Sequence, residues 1–289
     1  LHVGTGVTIF SSTGIVSATA FYGNGQNLTN LINGKLGPDA QENLYAGTGA
    51  GAASDSDTCF NIALGCNAGN ANCSGDYNIF LGYAAGENLT TGGCNVYIGH
   101  CSGHDVTSGA HNIAMGMKSG GASGGGPGGQ YNVSFGDYAG CCLTTGQSNI
   151  SIGKDSGKQI KNGDDNIFLG RYSGCATQGG DYNVAIGANT MVSNGTKECN
   201  VVIGRFAGCR LTTGCSNVFL GYGAGQLTCS GDCNIAIGPN VCLTTPNGDG
   251  QLEIGCGTGR WIVGNNNFNV GIGTTNPDAA VGVGNTAKL

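Results

Sequence analysis

A five-residue pattern, N-[IV]-x-[ILMF]-G, returns along most of this chain, nearly always 17 positions after its previous copy. It first occurs at Asn43–Gly47 (NLYAG) and last at Asn269–Gly273 (NVGIG), 14 copies in all, and Gln251 is the one replacement of the leading Asn. A short fixed period means a stack of equivalent coils, each completing its core against its neighbours. That excludes most folds open to 289 residues.

With the Asn as phase 0, phase +1 is β-branched or Leu (Ile62, Ile79, Val96) and phase +3 is large and apolar (Leu64, Leu81, Ile98). Phase +2 varies. The alternation reads as a strand, and it predicts +1 and +3 facing inward with +2 outward. Gly at +4 predicts a strand end with positive φ or a close backbone approach. Small residues at +7 (Ala68, Ala85, Ser102), Gly at +8 and segments such as Leu89–Gly92 (LTTG) supply the corners. A 3.6-residue period is absent. The expected fold is all-β: a β-solenoid of about 14 coils over 43–273, with non-repeat segments at 1–42 and 274–289. One interval, Asn112 to Asn132, is 20 residues long and places a loop at Gly121–Gly129.

Equivalent residues of stacked coils lie ~4.8 Å apart, so inward Asn side chains can bond from coil to coil. The ladder expected on this ground comprises Asn43, Asn61, Asn78, Asn95, Asn112, Asn132, Asn149, Asn166, Asn183, Asn200, Asn217, Asn234 and Asn269. The outward +2 column would then carry Tyr45, Phe80, Tyr97, Phe168, Val202 and Phe219, an apolar stripe suited to association.

Charge is sparse, with 11 Lys+Arg against 17 Asp+Glu, and no basic run points to nucleic acid. Apolar stretches are too short for a membrane-spanning helix. Fifteen cysteines suggest an oxidising location, and an odd number leaves at least one thiol unpaired within the chain. Cys199, Cys215 and Cys233 fall at neighbouring phases of successive coils, so Cys215 could bridge to one of the other two. Glycosylation motifs stand at Asn27, Asn88 and Asn194 in expected loops, and at Asn72, Asn132 and Asn149. His100, Cys101, His104 and Asp105 have metal-ligand types but lack a C-x-x-C partner, so no metal is expected. The acids are scattered over phases, and no paired carboxylates or Ser/His/Asp set can be placed, so neither catalysis nor a cofactor is expected.

The two ends carry a resemblance. LHVGTGVTI and GIVSATAFYGNGQNLTNL at the start, and NVGIGTTNP with a closing AKL, resemble segments of phage and virus tail-fibre proteins, where TTNP and AKLHVG run on continuously. The repeats NVAIG and NIAIG are similar to the heads of trimeric autotransporter adhesins, β-rolls with shorter coils. Leu1 as first residue fits a processed chain or a unit of a longer array. These likenesses imply an extracellular structural fibre on a virion or cell surface. Its partner would be another copy of itself, in a head-to-tail polymer or homotrimer, with no nucleic acid and no membrane insertion. The alternative is an adhesin recognising a cell-surface glycan.

Overall fold

In the computed structural model, the described residues are 7–10, 15–18, 38–121, 126–267, 269–274 and 276. The chain divides into two compact units, Leu1–Leu36 and Gly37–Leu289. In the first, strands β1 (Val7–Phe10) and β2 (Ile15–Ala18) pair antiparallel.

The second unit is a β-solenoid built on very short strands. In chain order they are β3 (Leu44–Ala46), β4 (Ile62–Leu64), β5 (Ile79–Leu81), β6 (Val96–Ile98), β7 (Ile113–Met115), β8 (Val133–Phe135), β9 (Ile150–Ile152), β10 (Ile167–Leu169), β11 (Thr177–Gly179), β12 (Val184–Ile186), β13 (Gly195–Thr196), β14 (Val201–Ile203), β15 (Val218–Leu220), β16 (Ile235–Ile237), β17 (Leu252–Cys256), β18 (Gly259–Gly264) and β19 (Val270–Ile272). From β3 to β17, leaving out β11 and β13, each strand pairs parallel with its equivalent in the next coil. The register matches phase to phase, as in Ile167↔Val184 and Leu169↔Ile186. The 20-residue interval keeps it too, with Ile113 opposite Val133. β11 and β13 form a separate parallel pair.

About 12 turns result, fewer than the repeat count suggests, because 13 stacked copies span 12 intervals and the last copy leaves the stack. β18 runs antiparallel to β17, and β19 antiparallel to β18. Asn269 therefore belongs to a terminal meander and lies outside the ladder; its N–H donates instead to Asn265 Oδ1 at 3.2 Å. Reversing the chain direction ends the parallel stack among the described residues. Trp261 on β18 is 63% exposed.

Three inward columns make the core. Phase +7 is closed by Ala68, Ala85, Ala139, Ala207 and Ala224, all fully buried. Phase +11 contributes Leu89, Leu143, Ile160 and Leu211. The third column is phase +2, where Phe80, Tyr97, Phe168 and Phe219 are at most 1% exposed. The glycine at +8 completes this packing: a Cβ on Gly174 would come 2.6 Å from the Phe168 ring. The glycine at +4 is required more strictly. Gly170 has φ +128°, and a Cβ there would sit 2.7 Å from the carbonyl of Gly187 one coil on. Both reasons anticipated for that glycine hold together, and backbone cannot yield as a side-chain tip can.

Candidate functional site

The Asn column is the most regular polar structure in the molecule. Each Oδ1 accepts the backbone N–H of the Asn one coil on: Asn78 N–H to Asn61 at 2.8 Å, Asn149 N–H to Asn132 at 2.9 Å, Asn217 N–H to Asn200 at 3.0 Å. Each Nδ2 reaches across its own coil to a carbonyl, at +14 in all but the Asn43 and Asn112 coils, as from Asn166 to Gly180 at 2.9 Å and from Asn217 to Gly231 at 2.8 Å. Several also donate to the preceding Oδ1, as Asn183 does to Asn166 at 2.9 Å. One buried amide thus ties two coils together and braces the far corner of its own. At Gln251 the backbone N–H still finds Asn234 Oδ1 at 2.9 Å, but the longer side chain turns back to the Thr245 carbonyl at 2.7 Å.

The inward Asn decides which strand face is core, and it corrects the expected one. Period-two alternation puts +2 on the same side as phase 0. Phe80, Tyr97, Phe168, Val202 and Phe219 are accordingly buried and form no surface stripe. Tyr45, in the first coil, is half-buried, with its hydroxyl donating to Ser54 Oγ at 3.0 Å. The outward columns are +1 and +3, and every residue in them from β3 to β17 is aliphatic, Met or Phe. Most are half-buried by their neighbours along the ladder; Ile113, Met115, Ile152, Ile203 and Ile235 are 37–40% exposed.

Two corners border this face. Phase −1 is left-handed in coil after coil, with Phe60, Tyr77, Cys94, His111, Tyr131, Tyr182 and Cys199 all at φ between 55° and 60°. Phase +6 is left-handed likewise, at Asn67, Ala84, Cys101, Tyr138 and Tyr172. Left-handed geometry costs a non-glycine residue about 1–2 kcal/mol, so the stacked neighbours must hold it. Along the −1 corner, Phe60 stacks on Tyr77 and His111 on Tyr131, each at 4.9 Å between ring centres. At +5, Tyr83 stacks on His100 at 5.2 Å. Rings stacked on one another turn their edges to solvent.

None of the fifteen cysteines forms a disulfide. Cys199, Cys215 and Cys233 do not bridge; the backbone pairs their coils, with Cys233 N–H donating to the Cys215 carbonyl at 2.9 Å. The exposed thiols, Cys66, Cys94, Cys199, Cys233 and Cys256, all stand at the −1 or +5 corners. Others look inward along the stack: Cys141 donates to the Lys158 carbonyl at 3.5 Å. Its contact with Cys142, then burial, pushes the Cys141 thiol up, and burial does the same at Cys175, which makes both poor nucleophiles.

Asn88 and Asn194 are exposed, whereas Asn72, Asn132 and Asn149 are buried; Asn27 lies outside the described residues. His104 is held by Glu87 at 2.9 Å and Asp105 at 2.7 Å, and among the described residues no group of three or more His, Cys, Asp or Glu could hold a metal ion. A cleft of about 550 Å³ beside these residues is lined by His100, Lys118, Tyr138, Cys142 and Lys158. Two buried charges escaped the repeat reading. Lys197 replaces the +14 glycine, and its Nζ donates to the Ser193 carbonyl at 2.6 Å and Thr177 Oγ1 at 3.1 Å; burial pushes it down to about 8. Glu253 occupies the +2 core column of the last parallel strand and pairs with Arg260 from the terminal meander. An acid among Phe and Ala in one column was the available signal for that pair. The chain matches no protein-family model, no curated protein and no solved structure.

Proposed function

We propose that this chain is a non-enzymatic structural subunit of an extracellular fibre or filament, a rigid β-solenoid rod joined head to tail to another copy. The observation that carries this reading is the unbroken parallel ladder with its internal Asn column. Both satisfy buried polar groups along the axis and spend the repeat on stiffness rather than on a pocket. The distribution of chemistry supports it. Polar groups recur as structural columns, and the half-buried Cys141 and Cys175 thiols have their pKa raised, away from the reactive thiolate. Homotrimerisation, or addition of copies along the axis, would build a tail-fibre-like shaft on a virion or cell surface.

Cryo-electron microscopy of native particles tests the reading. Filaments or shafts with an axial repeat near one module length are expected, and isolated globular particles would overturn it. The adhesin reading is favoured by one feature, the cleft of about 550 Å³ beside Gly121, where the insertion begins. Glycan-array binding by the isolated chain, lost on deleting Gly121–Gly129, would select it.

A further inference from the structure

The outward face of the parallel sheet is the largest feature of the rod left without a role. From β3 to β17 its two outward columns carry no charged or polar residue. At ~4.8 Å per strand the face is about 58 Å long, and with its corners ~15 Å wide. That is roughly 900 Å², near the ~800 Å² each partner contributes to a specific interface; the apolar strands alone, ~10 Å wide, make roughly 580 Å², at the upper end of what soluble monomers expose. We propose that this face docks laterally on the same face of a second copy of the chain. This deepens the fibre reading by giving the surface through which copies pack side by side.

The period selects the occupant. Side chains on the face form ridges spaced by the strand separation. A partner fills the grooves along the whole length only if its own ridges repeat at the same spacing. A second copy has that spacing and the same length, and two parallel sheets stack at ~10 Å with aliphatic side chains interleaved. The rims fit a buried centre with a more polar border: Asp165 and Arg171 flank one strand at phases −1 and +5, Ser148 and Lys154 another. Tyr77, Tyr131 and Tyr182 on the −1 rim are 55–61% exposed and extend the contact.

Sedimentation velocity of the purified chain tests this, together with Ile152→Arg and Ile203→Arg on the face and Thr145→Arg away from it. The wild type and Thr145→Arg should associate, while the face variants should be weakened at least about 100-fold, as expected for an unpaired charge in a buried interface. Circular dichroism should be unchanged, because both isoleucines point outward. If either variant fails to fold, Ile203→Thr takes its place, with a smaller weakening expected. Maleimide labelling of Cys94 and Cys199 should be slower in the wild type than in Ile203→Arg. A wild type that stays monomeric at 100-micromolar order, binds phosphatidylcholine vesicles as a monomer, or associates as strongly with arginine on the face would overturn the proposal. Axial growth is scored separately by filament length in electron micrographs, which the face variants should leave unchanged; filaments lost in the wild type would count against the fibre reading alone.

Discussion

The solenoid has two well-filled stretches and a thin waist between them. On one side Phe80, Tyr97 and Leu89 fill the coils; on the other Phe168, Val202, Leu211 and Phe219 do. The buried apolar residues fall into two separate clusters; Ala114 is the last +2 residue of the first, and the +2 residues that follow it are Ser134 and Ser151. The Ser134 and Ser151 hydroxyls are buried and bond to no protein group. A gap of about 10 Å³ opens beside Ala114, Ser134 and Leu143. Yet the ladder crosses the waist without a change of register, Val133 facing Ile150 and Asn149 N–H meeting Asn132 Oδ1 at 2.9 Å. Backbone and amide columns therefore set the continuity of the rod, and the apolar core sets how strongly each stretch holds.

This comparison breaks if backbone columns matter no more than side chains. Gly153→Ala at the waist is the severest test, because its Cβ would lie 2.7 Å from the Gly170 carbonyl carbon at φ +124°. We expect a loss of about 5 kcal/mol or more, measured by urea unfolding. Gly257→Ala in the terminal hairpin has φ +57° and nothing within 4 Å of the added Cβ, so it should lose only about 1–2 kcal/mol. Phe168→Ala should cost about 3–5 kcal/mol through the cavity it leaves. Asn149→Ala strands the Asn166 N–H and the Gly163 carbonyl, each worth about 1–3 kcal/mol when buried, whereas Asn269→Ala should change little. If Asn149→Ala is as mild as Asn269→Ala, the waist is not held by its amides.

Lys197 sharpens the comparison within the filled stretch. Its folded value of about 8 lies below the ordinary 10.5. Between those values the unfolded chain keeps a proton that the folded chain has released, so the Lys197 contribution to stability rises with pH across that window. At about 1.4 kcal/mol per unit the rise is at most about 3 kcal/mol. Lys197→Met should be more stable than the wild type near pH 7, and the gap should close toward pH 10.5. A gap that stays constant in paired urea titrations would show that Lys197 is not desolvated when folded.

The architecture was legible because a 17-residue period at fixed phases admits few other answers, and the glycines at +4 and +8 announced backbone where no Cβ fits. The facing of the strand was legible too, but only by giving the Asn priority over the aliphatic columns. Uniformly apolar residues at +1 and +3 look like core, although an inward amide at phase 0 forces +2 inward. The left-handed corners at −1 and +6 were hidden, since Phe60, Cys94, Ser148 and Asp165 share a conformation and no chemistry. The end of the stack was hidden as well: NVGIG repeats the motif while its strand runs antiparallel to its neighbour.

The smallest effect separates the two explanations of the waist most cleanly. Ser151 and Ser156 are both fully buried, five residues apart. Ser156 Oγ donates to the Phe168 carbonyl at 2.9 Å, while the Ser151 hydroxyl has no protein partner. Ser156→Ala should therefore lose about 1 kcal/mol, the net worth of a buried hydrogen bond. Ser151→Ala should gain about as much, because it removes a polar group buried without compensation. Calorimetry would read these as shifts of about 2–4 °C in opposite directions. If both serines destabilise on truncation, the Ser151 hydroxyl contributes a bond after all, and the waist is a polar joint rather than an unfilled core.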